Sequence, residues 1–281
     1  MRRLAFLLLV CAAFVSSCSF GPYMLNVSET KVDERAKNIK IIAPPKMKSE
    51  ADSTYSFLII TDAHFGPRVS SSLADDFLKN FKELNVSFII NLGDTLDSGK
   101  QGQGDDYQAM VEKMGASARS LSDSLPHYAV IGNHDLYASD GWDVWSRNFY
   151  PHTSYYTFTL GGFAYYFLDT GNGTLGKPQL EDLERQFARD RTTPKIILMH
   201  YPVVSDTSFC LQNSLERNRL LSDFAKANVK MIFSGHYHPG DEHNYGSFSE
   251  VTIKSFGFYN TALLVTVNNE TKSISYQRIS F

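Results

Sequence analysis

Tyr128-Ala129-Val130-Ile131-Gly132-Asn133-His134-Asp135 sets an apolar run of strand character directly against a glycine and three polar groups able to bind a metal or move a proton. In open α/β sheets ligands bind in the crevice outside the carboxyl ends of the strands, so a strand ending in Asn-His-Asp delivers its chemistry there. Four more stretches repeat the arrangement. Residues 57–60 run into Asp62 and His64, and residues 88–90 into Gly93, Asp94 and Asp97. Residues 196–199 end on His200, and residues 231–233 run into Gly235, His236 and His238. Imidazole, carboxylate and amide groups gathered from these strand ends point to one metal site, and such donors suit borderline first-row ions such as Mn, Fe, Zn, Co or Ni. Gly93, Gly132 and Gly235 each precede a candidate ligand. Without a Cβ they permit the sharp turn that swings the next side chain inward.

Around these ends strand and helix alternate. Residues 55–60 read as a buried strand; Leu73, Phe77, Leu78, Phe81 and Leu84 share one helical face; residues 87–92 read as the next strand. Two strongly apolar strands joined by a helix indicate a parallel βαβ unit. Residues 105–121 form a plausible second helix before a strand at 127–131. The aromatic-rich insertion after Asp135, with Tyr137, Trp142, Trp145, Phe149 and Tyr150, reads as packing in preference to a substrate entrance. Residues 154–160 and 163–169 form a hairpin through Gly161-Gly162, and a helix opens at Pro178. Strands at 195–199 and 229–233 flank a helix marked by Leu215, Leu220, Leu221 and Phe224. Residues 248–256, 259–267 and 273–280 alternate like antiparallel strands, the last two turning at Asn268-Asn269. The class is α/β with antiparallel additions.

Asp62-x-His64, Gly93-Asp94-x-x-Asp97, Gly132-Asn133-His134-Asp135, His200 and Gly235-His236-x-His238 resemble, in order, the five blocks of the calcineurin-like metallophosphoesterases. Any one block is common; five in order over residues 62–238 are specific. The resemblance implies a four-layer αββα sandwich with two mixed β-sheets and a dinuclear site. It implies one metal on Asp62, His64, Asp94 and His238, and a second on Asp94, Asn133, His200 and His236, with Asp94 bridging. It also implies His134 as the acid that protonates the leaving alkoxide, with Asp135 orienting its ring, while a metal-bridging hydroxide attacks phosphorus. Asp97 stands where the purple acid phosphatase branch has tyrosine, and reads as a supporting residue. Arg68, Tyr137, Tyr201 and Tyr237 neighbour the blocks and are secondary candidates for contacting phosphate, whereas His127, His152 and His243 read as structural. The expectation is a metal-dependent phosphoesterase, a diesterase before a monoesterase, acting on a small phosphoester. The order of the blocks is similar to that of bacterial cyclic-nucleotide phosphodiesterases, but many branches share it.

Two other readings compete. Gly171-Asn172-Gly173-Thr174-Leu175-Gly176-Lys177-Pro178 follows a strand and opens a helix like a phosphate-cradling P-loop, but its last position lacks both hydroxyl and N–H, so it reads as a surface loop. The glycine-rich residues 99–104 read as a flexible loop. The same fold could also serve as a non-catalytic metal or phosphate-ligand scaffold; loss of His134 or of a ligand would favour that, and none is lost.

The chain's 281 residues are 43% hydrophobic and 20% charged, an ordinary globular composition. Its first residues stand apart. Arg2-Arg3 precede an apolar segment at 4–15, too short to span a bilayer, and then Val15-Ser16-Ser17-Cys18. This end resembles the lipobox of bacterial lipoproteins, which implies a signal peptide at 1–17, a lipid on Cys18, a lipidated tether at 18–52 and a catalytic domain at 53–281. The implied destination is export, with a lipid anchor in the bacterial cell membrane or outer membrane. Loss of Arg2 and Arg3 takes the formal charge from −3 to −5. A mildly acidic surface is a poor general binder of nucleic acid, so none is expected as a partner.

Overall fold

The structure, a computed structural model, describes residues 30–46, 53–66, 71–123 and 125–281, with no account of the side chains of 71–74. The signal segment, Cys18 and Arg68 lie outside the described residues.

Helix α1 (Val32–Arg35) and strand β1 (Lys40–Ile41) come first, within the segment at 18–52 that the sequence marks as a tether with room for part of it to pack on the domain. Val32 and Ala36 are buried against the domain, β1 pairs in parallel with β5 (Tyr156–Leu160), and the Arg35 guanidinium meets the Asp169 carboxylate at 2.9 Å with neither side chain exposed. The folded unit therefore begins well before residue 53.

Next come β2 (Thr54–Ile60), α2 (Ser71–Phe81), β3 (Ile89–Asn91), α3 (Gln101–Lys113), β4 (His127–Ala129) and α4 (Gly141–Asn148). β5 turns into β6 (Phe163–Phe167), followed by α5 (Lys177–Arg189), β7 (Lys195–Leu198), α6 (Ser214–Lys226) and β8 (Val229–Ser234). The chain closes with β9 (Asp241–Asn244), β10 (Ser249–Thr252), α7 (Phe256–Tyr259), β11 (Thr261–Asn268) and β12 (Ser273–Ser280). The strands form two mixed sheets, a seven-stranded one in the order β1-β5-β6-β7-β8-β10-β9 and a five-stranded one in the order β12-β11-β2-β3-β4.

The apolar runs are continuous because both faces of each inner strand are covered. In β2, Phe57 and Ile59 point into the layer between the sheets, where they meet Phe158, Phe163 and Phe233; Leu58 and Ile60 point outward to a helical layer with Phe77, Tyr107 and Trp145. In β7, Ile196 and Leu198 face the same central layer, while Ile197 faces Leu183 and Phe224 of α5 and α6. Helices thus cover the outer face of each sheet, giving the expected αββα sandwich.

Several expectations shift. Helix α3 starts at Gln101 and ends at Lys113, so the glycines at 102 and 104 open a helix and do not form a loop. A Cβ on Gly104 would sit 2.8 Å from the Asn148 side chain, so this glycine admits the close crossing of α3 and α4. Strand β10 pairs antiparallel with β9, a strand that was not foreseen, and parallel with β8 on its other side. The loop at 171–175 is largely buried, not superficial: Gly171 packs against the Gly132 carbonyl and donates its N–H to Asp169 at 3.1 Å.

Candidate metal centre

β2, β3 and β4 of one sheet and β7 and β8 of the other end along one edge of the sandwich, and the candidate residues follow those ends directly. The chain turns there through left-handed backbone: Asp62 (φ 50°), His64 (φ 49°), Asp94 (φ 49°) and His236 (φ 66°) all take positive φ. For residues with a Cβ this costs of order 1–3 kcal/mol each and persists only where the surroundings over-determine it, as at ligand clamps. Gly93 (φ 95°) needs its missing Cβ for the turn. Gly132 and Gly235 need theirs for space instead: a Cβ would lie 2.2 Å from Asp94 Oδ1 in the first case and 2.7 Å from Asp62 Oδ2 in the second.

Asp62 accepts the Thr61 hydroxyl at 2.7 Å and the His236 N–H at 3.0 Å on Oδ2, and its Oδ1 lies 3.4 Å from His238 Nε2. His64 Nε2 and His238 Nε2 face each other at 3.2 Å. Asp94 Oδ1 accepts the His134 N–H at 2.8 Å, which leaves Oδ2 between His200 Nε2 at 3.3 Å and His64 Nε2 at 3.9 Å. Asn133 Oδ1 is 3.2 Å from His200 Nε2, while His200 Nδ1 donates to the Leu92 carbonyl at 2.8 Å and turns its other nitrogen inward. Asp62, His64 and His238 form one group with ligand atoms within 4.8 Å, Asp94, His200 and His236 another. Buried oxygen and imidazole donors converge beneath a cavity whose described lining holds no lysine or arginine, and such a set fits metal ions, whose charge it needs. All seven residues that the sequence offers as candidate ligands are brought together.

His134 sits on the three-residue 3₁₀ turn His134–Leu136. Its Nδ1 donates to the Asp97 carbonyl at 2.9 Å and its Nε2 meets the Tyr137 hydroxyl at 3.0 Å. Asp135 corrects the expectation that it orients this ring. Its carboxylate is fully buried and accepts Leu96 N–H and Gly132 N–H, each at 2.8 Å, so it fixes the two ligand-bearing loops to each other. Asp97 does the orienting, and its Oδ1 also approaches His64 Nδ1 at 3.6 Å.

These groups floor a cavity of about 500 Å³ lined by Asp94, Asn133, His134, His236 and His238 together with aromatic walls. Tyr137 forms a wall beside His134; Tyr201, Phe209 and Tyr237 form one beside His236; Ser208 and Pro239 also line the cavity. Tyr137, Tyr201 and Tyr237 were secondary candidates in the sequence; Phe209, Ser208 and Pro239 carried no signal there. Of the aromatic insertion, Trp145 and Phe149 are core and only Tyr137 reaches the cavity.

The calcineurin-like phosphoesterase family profile matches residues 55–240, a stretch that contains every one of these candidate ligands. The chain belongs to that family. A probable cyclic nucleotide phosphodiesterase from Fibrobacter succinogenes is 28% identical over 200 residues, 64% of this chain and 71% of that protein. A dimetal phosphatase from Danio rerio shares the fold with a TM-score of 0.59 at 14% identity, over 81% of this chain and 99% of that one. GAP50 of Plasmodium, the anchor in the inner membrane complex, aligns with a TM-score of 0.57 at 16% identity over 81% and 89% of the two chains. Family and site together make this a metal-dependent phosphoesterase.

In the phosphoesterase without its cations, burial works against charge throughout and the pairings decide which groups yield. Burial pulls His64 down to about 4 and His236 down to about 3, so both imidazoles are neutral. Burial also pulls on His200, but Asp94 outweighs it and lifts the ring to about 9. Burial pushes the Asp94 carboxyl up, yet the charge of His200 and its hydrogen bond hold it well below its usual range. Asp135, buried and facing the Asp94 charge, rises to about 7.

Proposed function

We propose that the chain hydrolyses a phosphodiester, using two first-row cations that share Asp94. The observation that carries this reading is the convergence of five strand ends on one cavity, with Asp94 Oδ2 standing between the His200 and His64 nitrogens. Asp62, His64 and His238 would hold one cation, and Asn133, His200 and His236 the other. When bound, the cations supply Lewis acidity towards the phosphoryl oxygens and lower the pKa of an attacking water. His134 protonates the departing oxygen from Nε2. The Asp97 carbonyl on Nδ1 keeps the ring aimed at the cavity. The diester choice is supported by the named activity of the relative from Fibrobacter succinogenes.

The test is a substrate panel with purified protein and added manganese or other divalent ions: bis- and mono-nitrophenyl phosphates, cyclic nucleotides, nucleotides and glycerophosphodiesters. Metal-dependent turnover with diesters ahead of monoesters is expected. A monoester preference removes the diester assignment, and silence across the panel removes the enzyme.

The anchor belongs to the same proposal. Cys18 would carry a lipid and hold the exported domain at a bacterial membrane, supported by the lipobox-like residues 15–18. No helix among the described residues is long and apolar enough to cross a membrane. Labelling cells with a fatty-acid analogue should tag the chain, and Cys18→Ser should abolish the tag; equal labelling of both contradicts the anchor.

A further inference from the structure

The aromatic wall beside His236 has a property that coordination does not explain. Phe209 leaves 51% of its surface in solvent at the mouth of the cavity, its ring 5.7 Å from that of His236 and 6.0 Å from that of Tyr237, nearly parallel to the latter at 23°. Behind them Tyr201 stacks on His236 at 3.7 Å. The loop that carries Phe209 is held at its stem. The Leu211 N–H donates to the Pro202 carbonyl at 2.8 Å, and the fully buried Glu250 accepts the Val203 N–H at 2.7 Å and the Tyr245 hydroxyl at 3.0 Å. Within the loop the Phe209 N–H donates to Thr207 Oγ1 at 3.2 Å. A half-exposed phenyl ring fixed beside a ligand histidine is apolar area that a ring of the substrate would finish covering.

The two walls flank different halves of the site. His134 packs against His64 with ring centroids 4.4 Å apart, whereas Phe209 approaches His236. If the leaving oxygen departs at His134, the arm that stays on phosphorus extends towards Phe209 and Tyr237. Resting on the phosphodiesterase reading above, we infer that these two residues form a subsite for a flat aromatic or heteroaromatic ring on the retained arm of the diester, and so set which diesters are accepted.

Two diesters with the same leaving group isolate that arm: methyl 4-nitrophenyl phosphate and benzyl 4-nitrophenyl phosphate, assayed on the metal-loaded protein. Ring stacking of this kind is worth a preference of about 5- to 100-fold, so kcat/KM for the benzyl ester should exceed that for the methyl ester by this factor, mostly through KM. Phe209→Ala, at a position exposed enough to spare the fold, should collapse the ratio towards one, and Phe209→Trp should keep it. Equal turnover of the two esters by the natural protein overturns the inference, as does a parallel fall on both in Phe209→Ala. A chain active elsewhere in the panel but on neither ester overturns it too, while a chain silent on the whole panel overturns the phosphoesterase reading beneath it.

Discussion

His134 is gripped at both nitrogens, by the Asp97 carbonyl and by the Tyr137 hydroxyl, and only the second contact faces the cavity. A ring so held can hand its proton in one direction. His134→Ala is therefore expected to lower kcat by about 10²–10⁴ on a diester with an alkoxide leaving group. On a 4-nitrophenyl ester, whose leaving group departs without a proton, the loss should be much smaller; equal losses on both would take the acid role away from His134. His200 makes a different demand. Its value of about 9 lies above the ordinary 6.5, so the His200–Asp94 pair stabilises the cation-free fold fully below about 6.5 and loses that contribution as pH rises through about 9. A cation held by His200 would take the place of that proton. Cation affinity should rise with pH across this window, and calorimetry near neutral pH in buffers of different ionisation enthalpy should show about one proton released on loading. A pH-independent affinity with no release contradicts the pairing.

The segments at the site are legible in the sequence to different depths. Ligands are easy to find because they sit within four residues of strands that are apolar on both faces, where the run itself announces the element. The role of Asp135 is not, because in a 3₁₀ turn neighbouring side chains diverge by a third of a turn, and adjacency to His134 in sequence becomes separation in space. Phe209 is invisible for another reason: it lies in a loop without periodicity, placed by Glu250, whose bond to Val203 spans 47 residues. Short elements escape as well. Helix α1 has four residues and β1 two, too few to display a period, so their packing rests on tertiary contacts such as Arg35 with Asp169. Alternation also says which face of β10 is buried and nothing about its direction. Arg35→Ala would leave Asp169 buried without its partner, and a loss of about 3–5 kcal/mol of stability is expected in denaturant titration. A loss below about 1 kcal/mol would return residues 30–46 to the status of a tether.

At the scale of the molecule, the two sheets meet through Phe57, Phe88, Phe158, Phe167 and Phe233, and their strand ends open on the same edge. Neither sheet alone holds the full set of candidate ligands: Asp62, His64, Asp94 and Asn133 follow strands of the five-stranded sheet, His200, His236 and His238 those of the seven-stranded one. Cations held at this edge would draw on residues of both sheets, so their binding free energy would add to the stability of the sandwich. The most direct test is an anomalous-difference map from a crystal of the protein loaded with manganese. Two peaks about 3.5–4 Å apart, one on each side of Asp94 Oδ2, are predicted. A single peak, or peaks away from Asp94, would contradict the shared-carboxylate centre.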